Sequence, residues 1–150
     1  MDYCPFCIID EKRHRILWRG ARVYVMASNP RLVSNHLLVI PERHVETPPE
    51  LDQDECHELF DTVLMFQERI LKLGIGTGCD VRQHWRPFLP ESDRKVNHLH
   101  WHLLPRNLND ELYEQAQCLE DVLFRKLSSE EMETQIALLQ AQFFPMRNNS

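Results

Sequence analysis

No run in this 150-residue chain approaches the ~18 consecutive apolar residues that a membrane-spanning helix needs. Its first residues, Met1-Asp2-Tyr3-Cys4, have neither the basic nor the apolar region of a secretory signal, which predicts a cytoplasmic protein with no membrane partner. Glycine is scarce, at four residues, and most of it falls in Gly74-Ile75-Gly76-Thr77-Gly78. A phosphate-cradling glycine loop precedes a helix; this one follows a predicted helix and reads as a turn. Five cysteines are an odd number with no regular spacing, which argues against a disulfide scaffold. Cys56, Cys79 and Cys118 fall in segments that read as helix or strand, and are expected to be buried small hydrophobes. Excess positive charge is missing too: a net charge of −6 argues against a nucleic-acid partner. With no internal repeat, low-complexity tract or linker, the expectation is one domain over 1–150, with a core over 4–106 and a helical extension over 109–144.

What the chain does have is Asn97-His98-Leu99-His100-Trp101-His102-Leu103-Leu104-Pro105-Arg106, three histidines in strict alternation with large apolar residues. In a strand that period puts His98, His100 and His102 on one face and Leu99, Trp101 and Leu103 on the other. One face can enter a core while the imidazoles line a cleft. Histidine near neutral pH serves as nucleophile, acid, base or metal ligand. Between Arg82 and Arg106 lie five basic residues and two acidic ones, a local excess of +3 on an acidic chain. A positive cleft of that kind suits a small anionic ligand, although Arg82 and Arg86 alone would read as a solvated loop.

Cys4-Pro5-Phe6-Cys7 is a Cys-x-x-Cys knuckle, short enough to hold one metal ion and half of a tetrahedral zinc site. A redox pair would need a strand before it and a helix after it, and free thiols are the third reading. For zinc the remaining ligands must come from elsewhere, with His44 and His98 the best candidates and Cys79 or His36 in reserve.

Residues 15–18 and 22–27 read as strands of a hairpin with Gly20 in its turn, and 36–40 as a buried strand ending at Pro41. Asp52 with Glu55 is a capping box that opens a helix. Cys56, Leu59, Phe60, Val63, Phe66, Ile70 and Leu73 form its apolar stripe, and Gly74 stops it. Residues 79–85 read as a strand and 86–95 as a long loop. Leu112, Ala116, Leu119, Leu123 and Leu127 suggest one further helix. Ser128 with Glu131 caps another, on which Met132, Ile136, Leu139 and Phe143 make a stripe, the pair expected to cover a sheet or a subunit contact.

Taken together, His98-Leu99-His100-Trp101-His102-Leu103-Leu104 resembles the His-φ-His-φ-His-φ-φ signature of the histidine triad (HIT) nucleotide hydrolases and transferases. Asn35-His36-Leu37-Leu38-Val39-Ile40-Pro41-Glu42-Arg43-His44 resembles that family's Gly-His-x-Leu-Val-Ile-Pro-Lys-x-His segment, and Cys4-x-x-Cys7 the start of its zinc-binding, bacterial-type members. The resemblance implies an α+β fold, a five-stranded antiparallel sheet with a long helix, here followed by C-terminal helices, and a homodimer. It implies that His100 attacks the α-phosphorus of a small adenylylated or dinucleoside polyphosphate substrate to form a covalent nucleotidyl-histidine. By the same resemblance His102 contacts the phosphate, His36 supports the cluster, and Cys4, Cys7, His44 and His98 hold a structural zinc, His98 being counted in both the catalytic triad and the metal site. This chain departs from the family at Gln83, where Asn-x-Gly is usual, and at Arg94 and Lys95, cations in place of a small hydroxyl donor, all three expected to contact substrate. Ala27 takes the place of the usual ribose-binding acid. Two other readings use the same residues: metal-dependent hydrolysis or oxidation on the three-histidine face, and nucleotide binding without turnover.

Overall fold

The alternating residues of the first half pair into a sheet that is apolar on both sides. The computed structural model describes residues 4–8, 16–92, 94–117 and 123–145; Arg15, Asp93, Cys118 and Leu119, invoked above, lie outside them. Strands β1 (Ile16–Arg19), β2 (Val23–Ala27), β3 (Leu37–Pro41), β4 (Gly78–Gln83) and β5 (Trp101–Arg106) form one antiparallel sheet in the order β1-β2-β3-β5-β4. This is the α+β architecture that the resemblance implied. The hairpin turn closes through Gly20 N–H to Val23 O at 2.8 Å.

The long helix α1 (Gln53–Lys72) begins where its capping box stands, with the Asp52 carboxylate accepting from Glu55 N–H at 2.8 Å and Glu55 accepting from Asp52 N–H at 2.9 Å. Gly74 ends it at φ 66°, a left-handed conformation that costs a side chain least when there is none. Leu59, Val63, Phe66 and Ile70 lie on one face of α1 and pack against Val23, Val25, Val39 and Leu103. Each such side chain buried is worth roughly 1.5–3 kcal/mol. Phe60 and Leu73, predicted on the same stripe, are 50% and 71% exposed. Phe60 is one residue, about 100°, around the helix from Leu59 and reaches only the edge of the sheet, edge-on to Trp101 at 5.9 Å, while Leu73 stands at the C-cap, where the helix ends.

The opposite face of the sheet carries Tyr24, Met26, Leu38 and Ile40, covered by Phe6 from the N-terminal knuckle and by Val96. Two covered faces explain why β2 and β3 are continuous apolar runs, not alternating ones. Leu38 faces His102 across the β3–β5 pair, so the histidines share the face covered by the knuckle.

The chain divides into two units, Met1–Glu114 and Gln115–Ser150. In the first, Arg106 is buried and ion-paired with Asp110 and Asp80. In the second, helix α2 (Ser129–Phe143) begins at the predicted capping box, and none of its residues is buried. Of the helix expected from Leu112 to Leu127, the described residues show Glu111 and Leu112 leading into a π-helical turn, Tyr113–Gln117, and a non-helical stretch over 124–128. Leu112 is buried and Leu123 is 80% exposed, so these leucines do not share one packed face, the support that most protein helices need. No helix among the described residues is long and apolar enough to cross a membrane.

Candidate active site and metal knuckle

The sheet ladder starts at Trp101, so of the three histidines only His102 lies within β5. His98 and His100 sit on the approach to it, where Leu99 N–H turns away to donate to Val45 O at 2.6 Å. The single histidine-bearing strand expected from the alternation is therefore a strand plus its lead-in. The side chains still share a face: the ring centres of His100 and His102 are 4.8 Å apart, and Phe6 stands edge-on between His98 and His100 at 5.8 and 5.4 Å.

Backbone groups decide which nitrogen of each histidine carries its proton. Leu32 N–H donates to His36 Nδ1 at 3.1 Å, so the neutral His36 carries its proton on Nε2 and donates it to His102 Nδ1 at 2.9 Å. His102 must then carry its own proton on Nε2, a donor left for the cavities it lines. His100 Nδ1–H donates to its neighbour's carbonyl, His98 O, at 2.7 Å, which leaves Nε2 with a free lone pair. His98 Nε2–H donates to Pro41 O at 2.9 Å, which leaves Nδ1 for the cysteines. Burial is the main cause that holds the cluster neutral, pushing His36 and His98 down to about 4, His102 to about 3, and His100 below its ordinary value. One short stretch thus offers a ligand, a nucleophile and a donor.

Cys4, Cys7, His44 and His98 present ligand atoms that all lie within 4.8 Å of one another, and among the described residues they are the one group of this kind. Sulfur-to-nitrogen separations are 3.4 Å for Cys4–His98 and Cys7–His44 and 3.6 Å for Cys7–His98. A tetrahedral zinc with ordinary bond lengths sets such edges at about 3.6 Å. Burial and the adjacent Cys4 push the Cys7 thiol up to about 11, and a divalent cation offsets that by binding thiolates. The Pro41 carbonyl behind His98 is the outer partner that orients a ligating imidazole. The donor set fits a metal ion and leaves no position open for substrate. The knuckle is tied to the sheet by Tyr24 O–H donating to Phe6 O at 2.9 Å. The turn that carries His44 is pinned by Arg43, which donates to both oxygens of buried Glu55 at 2.8 and 2.7 Å.

Two cavities, of about 510 and 560 Å³, meet at a wall made by His84, Ser92, Arg94, Val96, His100 and His102. Of the substrate contacts expected from sequence, Arg94 lines both cavities and Lys95 one. Lys95 Nζ donates to Leu89 O at 2.5 Å and to Asn97 Oδ1 at 2.8 Å, so it also shapes its loop. Gln83 is elsewhere. It pairs with Trp101, on the sheet face that packs against α1, while Arg82 pairs with His102. Ala27 likewise pairs with Leu37 on the α1 side, and Ser28 and Asn29 line the smaller cavity.

His84 was missed by sequence reasoning. Its ring centre lies 5.3 Å from that of His102, and it lines both cavities. The alternation of Asp80, Arg82 and His84 opposite His102 was the available signal.

Fold and site together define a histidine-triad protein with a two-cysteine, two-histidine knuckle. The chain belongs to the family described as proteins similar to CwfJ C-terminal, whose pattern matches residues 1–117. It is 30% identical over 110 residues to a HIT-like protein of Methanocaldococcus jannaschii, covering 71% of this chain and 81% of that one. In fold it is similar to SMU.412c from Streptococcus mutans UA159, with a TM-score of 0.71 at 22% identity over 95% of this chain and 84% of that one. It is also similar to a HIT family hydrolase from Clostridium thermocellum, with a TM-score of 0.55 at 24% identity over 70% and 91% of the two chains.

Proposed function

We propose that this protein is a nucleotide-phosphate hydrolase or nucleotidyl transferase that works through a covalent nucleotidyl-histidine on His100. The observation that carries the reading is the hydrogen bond from His100 Nδ1 to His98 O at 2.7 Å, which bares Nε2 beside both cavities. A neutral imidazole with that nitrogen free is the form that attacks phosphorus. Nε2 gives its electron pair to the α-phosphorus, and the bond to the leaving group breaks. His102, its donor direction set by His36, offers Nε2–H to a phosphoryl oxygen as charge develops there. Water or another acceptor then takes the nucleotidyl group, returning the electron pair to Nε2. Splitting one displacement into two lowers each barrier.

In this reading Cys4, Cys7, His44 and His98 hold a structural zinc, whose chemistry is to cross-link the knuckle to the sheet. It acts in the cytoplasm on a small nucleotide, with neither nucleic acid nor membrane as partner, in keeping with the net charge of −6. A homodimer is the proposed assembly, supported by the outer edge of β4, which pairs with no strand among the described residues, and by Phe60, Leu64 and Val81, which are 50%, 60% and 39% exposed.

The test is intact-protein mass after brief mixing with an adenylylated lysine or a diadenosine polyphosphate and acid quench. A nucleotide-sized adduct on the wild type and none on His100→Ala is the expected result. Binding of nucleotide with neither adduct nor product would establish a binding module instead.

A further inference from the structure

We propose that the loop residues over 84–92 and 94–97 build a leaving-group subsite that selects an anionic, phosphate-bearing leaving group over an amine, with Arg86 its specificity-determining residue. The inference rests on the nucleotidyl-histidine reading above, which leaves the leaving group open.

Because His100 stands on the wall shared by two cavities, a phosphorus within its reach has room to direct one substituent into each. The cavity of about 510 Å³ carries Phe6, Met26, Leu32, Leu38 and Leu104 beyond that wall, its two arginines Arg31 and Arg82 being hydrogen-bonded to Ser34 and Asp80, and suits the nucleoside. The other, of about 560 Å³, is bounded by the loop, with Trp85, Arg86, Lys95 and Asn97 on its wall and Glu46 its one carboxylate among the described residues. Lys95 spends two of its donors on Leu89 O and Asn97 Oδ1, holding the loop closed on itself. The Arg86 carbonyl accepts from Leu89 N–H at 3.0 Å, but its guanidinium makes no hydrogen bond or ion pair to a described residue, so that planar fork of donors is available to a ligand.

The sign of that charge decides between leaving groups. When P–O to a phosphate breaks, the electron pair stays on the departing oxygen, and the charge it carries away is met by Arg86. When P–N to an amine breaks, the nitrogen must gain a proton, and the ammonium that results is repelled by the same cations. Diadenosine tetraphosphate, whose leaving group is a nucleoside triphosphate, fits the cavity in charge; an adenylylated lysine does not.

The experiment compares single-turnover adduct formation from diadenosine tetraphosphate and from an adenylylated lysine on wild type, Arg86→Ala and Arg86→Lys. Arg86→Ala is expected to slow adduct formation from the tetraphosphate about ten- to a hundredfold, the worth of one charge-assisted hydrogen bond. Adduct formation from the adenylylated lysine should be unchanged or faster, and Arg86→Lys should recover part of the loss. Equal slowing of both substrates, or of neither, would overturn the subsite while leaving His100 as nucleophile. Absence of any adduct on the wild type from either substrate would overturn the nucleotidyl-histidine reading itself.

Discussion

His36 is 5% exposed and sits in a cluster that has to stay neutral, so acid should destabilise this protein through an identifiable group. In the folded state burial, with help from His100 and Arg82, holds its imidazole down to about 4, whereas in an unfolded chain it titrates near 6.5. Between those values the unfolded state holds more protons, so stability falls as pH drops through that window and returns as pH rises. Taking about 4 for the folded chain, the loss attributable to His36 between pH 7 and pH 4 is about 3 kcal/mol. The perturbation is His36→Gln, which places an amide N–H near Nε2 and cannot titrate. Urea unfolding of both proteins at pH 7, 6, 5 and 4 measures it. Protonation at the cysteine–histidine knuckle acts on both proteins alike, so the difference between them reports His36 together with its effect on hydrogen-bonded His102. The wild type should lose about 3 kcal/mol more than the variant by pH 4, with most of the divergence between pH 6 and 4. Parallel stability curves would refute the reasoning, because His36 would then be taking its proton as readily folded as unfolded.

Cys4→Ser removes one of four ligand atoms that converge within 4.8 Å, so bound zinc measured by elemental analysis should fall from one per chain to near none. The melting temperature should drop by at least about 5 °C, since metal binding to a preformed site is folding free energy. Asp110 accepts from Arg106 Nε at 2.6 Å and NH2 at 3.0 Å, and from Asn107 and Tyr113 N–H at 3.1 and 2.8 Å. Asp110→Ala should therefore cost about 2–3 kcal/mol in denaturant unfolding, with Asp110→Asn less severe. Light scattering should give the mass of a dimer for the wild type and of a monomer for Val81→Lys, because a cation on the β4 edge blocks strand addition.

Much of this was legible where one local signal and the tertiary contact agree. The capping box at Asp52 and Glu55 places the start of α1 because it satisfies donors that any helix leaves open, whatever packs around it. The Cys4–Cys7 knuckle and its partners His44 and His98 were legible from residue chemistry and from the resemblance, and the four converge. Gln83 was misplaced because a contact carried over from a pattern ignores register: its cross-strand partner is Trp101, and that puts it against α1. The non-helical stretch over 124–128 has a different cause. Spacing shows that leucines could form a stripe, but a stripe needs one surface to bury against, and while Leu112 is buried Leu123 is 80% exposed.

What alternation cannot reveal is what distinguishes three identical side chains. His98, His100 and His102 are equivalent by sequence period, yet one faces sulfur, one carries a free lone pair and one offers a proton. The difference comes from main-chain groups: the carbonyls of Pro41 and His98 take the first two protons, and Leu32 N–H, acting through His36, sets the third. Those groups are placed by the ends of β3, by the lead-in to β5, and by the turn over 28–36, elements whose course no pattern of residue types specifies. Replacing a histidine therefore tests a role, while moving one of these main-chain groups would exchange roles without changing any histidine at all.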